Sequence, residues 1–172
     1  MILAGLLLSL FAQDLEAEAK NLREAGSYLE ALEVAADLSD PERERLHRVL
    51  ILWTAGDLGG ALLEAAGRPA EGPNDETQRD LCWNGALLSL QLGEVDYARQ
   101  FVKAGAQQIE GATYLNEVGR SNWREGFAGL LDDVEALDQR LQDARAGTSR
   151  ARTTTLGLGA VVLLALGFLA RR

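Results

Sequence analysis

The stretch AGSYLEALEVA at residues 25–35 recurs twice more in this chain, as AGDLGGALLEA at residues 55–65 and as LGEVDYARQFV at residues 92–102. In each copy a glycine is followed by a polar residue and an apolar residue, and an alanine stands five positions after the glycine. The three glycine and alanine pairs are Gly26 with Ala31, Gly56 with Ala61, and Gly93 with Ala98. A local pattern that returns after roughly 30 to 40 residues is typical of a repeat architecture.

The spacing within each copy indicates two helices joined by a tight turn. Glycine adopts the left-handed conformation that ends a helix, and the polar residue after it can cap the next helix. An alanine one turn into the second helix lets the two helix axes approach closely. Apolar residues at helical spacing precede each glycine, for example Ala19 and Leu22 in the first copy. We therefore predict three antiparallel helical hairpins over residues 13–109.

These hairpins resemble the tetratricopeptide repeat, in which two helices meet at a glycine-polar-aromatic turn and a small residue follows in the second helix. The best copies are Gly26-Ser27-Tyr28 with Ala31, and Gly93-Glu94-Val95 with Ala98. The resemblance implies an all-α fold, a short α-solenoid, with a concave face that binds a peptide or a helix. Asn84 lies where some members present an asparagine to a peptide carboxylate, but the accompanying basic residues are not evident here.

The segments outside the hairpins divide into three predicted pieces. GRPAEGPNDET, residues 67–77, has two prolines and no periodicity, which predicts a surface loop. Residues 110–145 are expected to form a short helix over 113–118 and a long helix over about 122–144, and 146–152 a flexible linker. The long helix carries one apolar stripe, which either caps the last repeat or forms a coiled-coil homodimer. The stripe consists of Phe127, Leu130, Val134, Leu137 and Leu141.

Both ends of the chain are apolar. Residues 153–170, TTTLGLGAVVLLALGFLA, would rise about 27 Å as a helix, close to the hydrocarbon thickness of a bilayer, and two arginines follow. This predicts a single transmembrane helix in contact with the lipid bilayer. Residues 1–12, MILAGLLLSLFA, predict a signal peptide or a short apolar anchor. Together they favour a membrane protein whose body is extracytoplasmic, and the alternative is a tail anchor whose body faces the cytoplasm.

The charge balance and the composition limit which ligands and reactions the sequence can support. The chain has 26 Asp and Glu against 17 Lys and Arg, and every carboxylate lies between residues 13 and 149. Such an acidic body is not expected to bind nucleic acid, because phosphate contacts need positive charge. One cysteine, Cys82, and one histidine, His47, give neither a zinc set nor a Cys-His catalytic pair. We therefore expect no catalytic residue, no cofactor, no metal and no enzymatic activity.

The function that the sequence predicts is a membrane-anchored adaptor that binds proteins at the cell envelope. Its concave face would be acidic and would bind basic or amphipathic partners, through residues on the first helix of each hairpin. The alternatives are a tail-anchored adaptor facing the cytoplasm, and a spacer that self-associates without a peptide groove. The candidate partner-binding residues are Glu16, Lys20, Arg48, Asn84 and Gln91.

Overall fold

The computed structural model describes the backbone of residues 2–66 and 75–169, and the side chains of residues 13–66 and 75–148. Within these residues the chain is all-helical. The seven helices are α1 (Ile2–Glu24), α2 (Tyr28–Ala36), α3 (Pro41–Thr54), α4 (Leu58–Ala65), α5 (Glu76–Leu92), α6 (Val95–Glu110) and α7 (Glu117–Leu169). The chain divides into two compact units, Met1–Val134 and Glu135–Arg172. The first unit holds α1 to α6 and the beginning of α7.

The helices of the first unit pack in the order expected of a helical repeat. Helix α1 packs on α2, α3 on α4, and α5 on α6, so each neighbouring pair forms a hairpin. Successive hairpins are joined through contacts of α2 with α3 and of α4 with α5. The first helices of the hairpins also stack on one another, α1 on α3 and α3 on α5. The predicted all-α class and the helical-repeat arrangement are confirmed.

The turns within the three hairpins share one geometry. Gly26, Gly56 and Gly93 have φ angles of 83°, 86° and 75°, in the left-handed region that favours glycine. In each turn the N–H of the following residue donates to the carbonyl five residues earlier, the bond of a Schellman motif. These bonds are Ser27 to Leu22 at 2.9 Å, Asp57 to Leu52 at 2.9 Å and Glu94 to Ser89 at 2.8 Å. The predicted role of the glycines is confirmed.

The predicted capping by the polar residue after each glycine holds at one turn only. The Asp57 carboxylate accepts a hydrogen bond from the Gly60 N–H at 2.9 Å. Ser27 and Glu94, in the equivalent positions, make no side-chain cap. The turns therefore depend on the glycine conformation more than on a side-chain cap.

Small and branched residues at equivalent positions hold each hairpin together. Counted from the turn glycine, the residues seven before, five after and nine after are all buried in every copy. The alanine five after the glycine is fully buried each time, which confirms the predicted close approach of the two helices. The positions are occupied by Ala19, Ala31 and Ala35; by Val49, Ala61 and Ala65; and by Ala86, Ala98 and Val102.

The predicted loop at residues 67–77 is shorter at its carboxyl end than expected. Residues 67–74 lie outside the described part of the chain. Asp75 is the N-cap of α5, since its carboxylate accepts from the Gln78 N–H at 2.9 Å. Thr77 therefore belongs to the first turn of α5, where it is buried.

Helix α7 differs from its predicted form at both ends. The expected short helix over 113–118 is absent, because α6 ends at Glu110 and the Asn116 side chain accepts from the Gly119 N–H at 2.8 Å, at the start of α7. The expected linker at 146–152 is helical backbone. Within 146–148 a hydroxyl bond from Thr148 to the Ala144 carbonyl supports the helix, and Gly147 stands in open space. One exposed glycine lowers helix stability without ending the helix.

The apolar stripe of α7 is buried in its first half. Phe127, Leu130 and Val134 belong to the core of the first unit, with exposed fractions of 1, 5 and 0 %. This favours the capping interpretation, because a coiled-coil dimer through these three side chains would have to remove them from that core. Leu137 and Leu141 are partly exposed.

The two predicted membrane segments fall outside the residues with described side chains. This applies to residues 1–12 and to residues 153–170. Within the described residues, no helix is both long enough and apolar enough to cross a membrane.

Candidate functional site: the groove between α6 and α7

A groove of about 440 Å³ runs between α6 and the beginning of α7, within the first unit. It is an open depression on the surface, and two helices supply all of its walls. We call it the α6–α7 groove. It is lined by Arg99, Val102, Lys103, Ala106, Glu110, Arg124, Phe127, Ala128 and Leu131.

The lining residues follow helical spacing on both walls. On α6 they extend from Arg99 to Glu110, about three turns or roughly 16 Å of one helix face. On α7 they extend from Arg124 to Leu131. The helices run antiparallel, since Glu110 at the end of α6 pairs with Arg124 near the start of α7. The groove therefore has the length of a short helix laid alongside α6.

The floor of the groove is apolar. Val102 and Phe127 lie at its base and are almost fully buried, whereas Ala106 and Ala128 are exposed on its two walls. Leu131 leaves 40 % of its surface exposed. The alanine on each wall keeps the groove open, because neither side chain is large enough to fill it.

The seat of Phe127 depends on a glycine. A Cβ on Gly105 of α6 would overlap the Phe127 ring, so only glycine allows α7 to lie this close to α6 at that level. A similar contact joins α5 and α6, where a Cβ on Gly85 of α5 would lie 2.6 Å from the Phe101 ring of α6. These two contacts set how closely α5 approaches α6 and how closely α6 approaches α7.

Charged side chains form the rim, and two of the three cations are paired. Arg124 donates to both carboxylate oxygens of Glu110, at 2.8 and 3.0 Å. This contact lowers the pKa of Glu110 and raises the pKa of Arg124. Arg99 pairs with Asp96 at 3.5 Å. Lys103 is exposed and makes no ion pair or hydrogen bond within residues 13–66 and 75–148.

The five residues predicted to bind a partner lie elsewhere, and the structure does not bring them together around one cavity. Glu16 of α1 pairs with Arg43 of α3 at 2.6 Å. Lys20 lies 3.9 Å from Glu24 on the same helix.

The remaining three predicted residues are also separated from the groove. Arg48 pairs with Glu64 at 3.3 Å, across the α3–α4 hairpin. The Asn84 amide donates to the Asp80 carbonyl of its own helix at 2.7 Å. Gln91 is exposed in the last turn of α5.

The single cysteine and the single histidine are both shielded. Cys82 is fully buried, and burial raises the pKa of its thiol to about 12, so the thiolate is disfavoured at neutral pH. The His47 Nδ1 is buried and has no hydrogen-bond partner among the described residues, and burial lowers the pKa of the imidazole. In the described residues, no group of three or more His, Cys, Asp or Glu side chains is arranged to hold a metal ion.

Sequence reasoning missed the α6–α7 groove although a signal was present. Ala128 and Leu131 each follow a member of the α7 stripe by one residue, so the apolar surface of α7 is wider than one stripe. On α6, Val102 and Ala106 likewise extend its apolar face. Each apolar face is wider than one helix contact requires. This width could have indicated a second contact surface.

No protein-family model matches the sequence, and no curated protein or solved structure matches it either.

Proposed function

We propose that this protein is a helical-repeat adaptor that holds an amphipathic helix of a partner protein in the α6–α7 groove. The observation that carries this proposal is the groove itself, an open apolar depression about three helical turns long. A helix laid in such a groove buries its apolar face against the floor, a recurrent mode of peptide recognition. The volume lies in the range of pockets that bind ligands.

The repeat character supports the same proposal. We assign the three hairpins to the tetratricopeptide type, on the left-handed glycine of each turn and the three equivalent buried positions around it. In stacked hairpins each helix packs between its neighbours, and the last helix leaves a face without a successor. Helix α7 covers most of the third hairpin, and the groove is the part beside α6 that it leaves open.

A membrane location is the second part of the proposal, and it rests on the sequence of the two ends. Residues 153–170 would form a single transmembrane helix, and residues 1–12 an export signal or a short apolar anchor. The body would then present its groove outside the cytoplasm. The alternative is a tail-anchored adaptor whose groove faces the cytoplasm.

Capture of partners by two matched variants of the full chain tests the adaptor function. Leu131→Asp places a charge on the groove wall, whereas Leu63→Asp does the same at an exposed leucine of α4 outside the groove lining. We expect cross-linked partners to be lost with Leu131→Asp and kept with Leu63→Asp, while circular dichroism shows both variants folded. Equal capture by the two variants would remove the groove as the binding site.

Protease accessibility tests the membrane location. In intact cells, with any outer membrane permeabilised, an extracytoplasmic body is cleaved by added protease, and a cytoplasmic body is protected until the cells are lysed. Cleavage only after lysis would favour the tail-anchored alternative. Recovery of the full chain in the soluble fraction would contradict both forms of membrane attachment.

A further inference from the structure

The inference concerns the charge of the partner helix and rests on the proposed function. We infer that the occupant of the α6–α7 groove is an acidic amphipathic helix, with a carboxylate beside Lys103. The notable feature of the rim is that its cations are not equivalent. Arg99 and Arg124 are engaged within the chain, and Lys103 has no partner among residues 13–66 and 75–148.

Arg124 is the engaged cation on the α7 side. Its two hydrogen bonds to Glu110, together with Glu117 at 3.7 Å, surround it with carboxylates. These bonds hold the two helices together where α6 ends. A partner carboxylate at this point would meet Glu110 as well as Arg124, so little attraction is expected there.

Lys103 is the available cation on the α6 side. It stands one turn after Arg99 and three residues before Ala106, and therefore beside the middle of the apolar floor. Its aliphatic stem can lie along that floor while the ammonium reaches the edge of a bound helix. A partner with a carboxylate on this edge gains an ion pair at the border of an apolar contact, where water is partly excluded.

The many carboxylates of the chain do not reverse the preference of the groove for an acidic helix. Residues 13–149 hold all 26 carboxylates of the chain, which repel an acidic partner at long range. At physiological ionic strength charges are screened beyond about 8 Å, so the groups within contact distance of the groove decide selectivity. A basic helix would place a like charge against Lys103 and would bind acidic surfaces elsewhere on the body.

The shape of the groove favours a helix over a lipid chain. It is open to solvent, with Val102 and Phe127 at its base and a small alanine, Ala106 or Ala128, on each wall. An open floor of this kind fits the ridge of side chains on a helix. An acyl chain would leave much of its surface exposed to water.

Three synthetic helices that share one leucine and alanine face test the inference. Their other positions carry Glu, Gln or Lys, and each is titrated into the full-length protein in detergent at physiological salt, with the Leu131→Asp variant defining the groove-dependent part of binding. We expect the Glu peptide to bind most tightly and the Lys peptide least tightly. Lys103→Glu should weaken binding of the Glu peptide by about fivefold and strengthen binding of the Lys peptide. A change of this size is expected for a charge at the rim of an interface. Lys20→Glu on α1 is the matched control and should change neither affinity.

The outcomes distinguish failure of the acidic-partner inference from failure of the proposed adaptor function. Groove-dependent binding that favours the Lys peptide, or that ignores the charge at residue 103, overturns the acidic partner and leaves the adaptor function intact. No groove-dependent binding by any of the three peptides overturns both. Groove-dependent binding of dodecanoate in the absence of peptide binding assigns the groove to a lipid and also overturns both.

Discussion

Two contacts between stacked helices differ in their chemistry, and each involves the first helix of a hairpin. We call the first the polar contact, where Glu16 of α1 meets Arg43 of α3 and His47 lies close to both. We call the second the aromatic contact, where Trp83 of α5 meets Trp123 and Phe127 of α7 with ring centroids 5.3 and 5.4 Å apart.

The two contacts are expected to contribute unequally to the stability of the fold. At the aromatic contact the rings lie edge to face, and the Arg79 guanidinium covers the Trp123 ring at 4.3 Å. Aromatic pairs contribute about 0.5–1.5 kcal/mol beyond burial alone. At the polar contact the Glu16–Arg43 pair is partly exposed, which limits its contribution. The aromatic contact therefore fixes α7 and, with it, the α6–α7 groove.

Removal of the central ring of the aromatic contact is expected to have the largest effect. Phe127→Ala leaves a cavity between α5, α6 and α7 and should lower the free energy of unfolding by about 3–5 kcal/mol. Chemical denaturation followed by circular dichroism measures this change. Tyr97→Ala, at a half-exposed ring of α6, is the control and should cost far less. Equal losses would mean that the aromatic contact does not hold α7.

Two glycine substitutions test the close approach that seats Phe127. Gly105→Ala forces a methyl group into the Phe127 ring and should destabilise the fold by about 1–3 kcal/mol. Gly129→Ala adds the same methyl group to α7 in open space, where it should stabilise the helix by about 0.5–1 kcal/mol. The test is that the two substitutions change the free energy of unfolding in opposite directions. A Gly105→Ala variant that is more stable than the native chain would show that α6 and α7 lie further apart than in this structure.

The polar contact should make stability depend on pH. The pKa of His47 is lowered by burial and by Arg23 and Arg43, against the opposing effect of Glu16. The unfolded chain therefore takes up a proton first as the pH falls through about 6.5, and stability is lost from there down to the lower pKa of the folded state. Burial raises the pKa of Asp80 above 3.8, which adds stability on acidification at lower pH.

Denaturation midpoints at pH 7.5 and pH 5.5 measure this dependence. The native chain should be less stable at pH 5.5, and His47→Gln should remove most of the difference. A His47→Gln variant with the same pH dependence as the native chain would show that another group is responsible.

The smallest expected effect is that of the ion pair itself. Glu16→Gln should cost no more than about 1 kcal/mol, and the cost should shrink in high salt because the pair is partly exposed. Glu24→Gln, which disrupts the more exposed pair with Lys20, is the control and should have no measurable cost. A large, salt-independent loss for Glu16→Gln would mean that the polar contact is as strong as the aromatic one.

The turns of the fold were predictable from the sequence because they depend on local rules. A glycine that must be left-handed and an alanine that must be buried leave the same trace in every copy, as at Gly26 and Ala31. The burial of Phe127 and Val134 also followed from their spacing. The beginning of α7 at Glu117 did not, since it depends on a single cap from Asn116.

The site was not predictable in the same way because it depends on how helices dock. Arg48 was expected to face a partner, yet it pairs with Glu64, sixteen residues further along the chain. Periodicity shows that a helix has a polar face but not which neighbour that face meets. The groove is formed by the depth at which Phe127 sits over Gly105, a distance that no single helix encodes.

A fluorescent label on the groove wall would report whether a helix occupies the α6–α7 groove. Leu131→Cys introduces a reactive thiol, while native Cys82 is buried with a raised pKa and should not be labelled. Leu63→Cys on α4 provides the matched position outside the groove lining. The claim that the groove holds an amphipathic helix predicts that the Glu, Gln or Lys peptide shifts the emission at residue 131 to shorter wavelength and leaves residue 63 unchanged. No shift at residue 131 with any of the three peptides, or equal shifts at both positions, would contradict it.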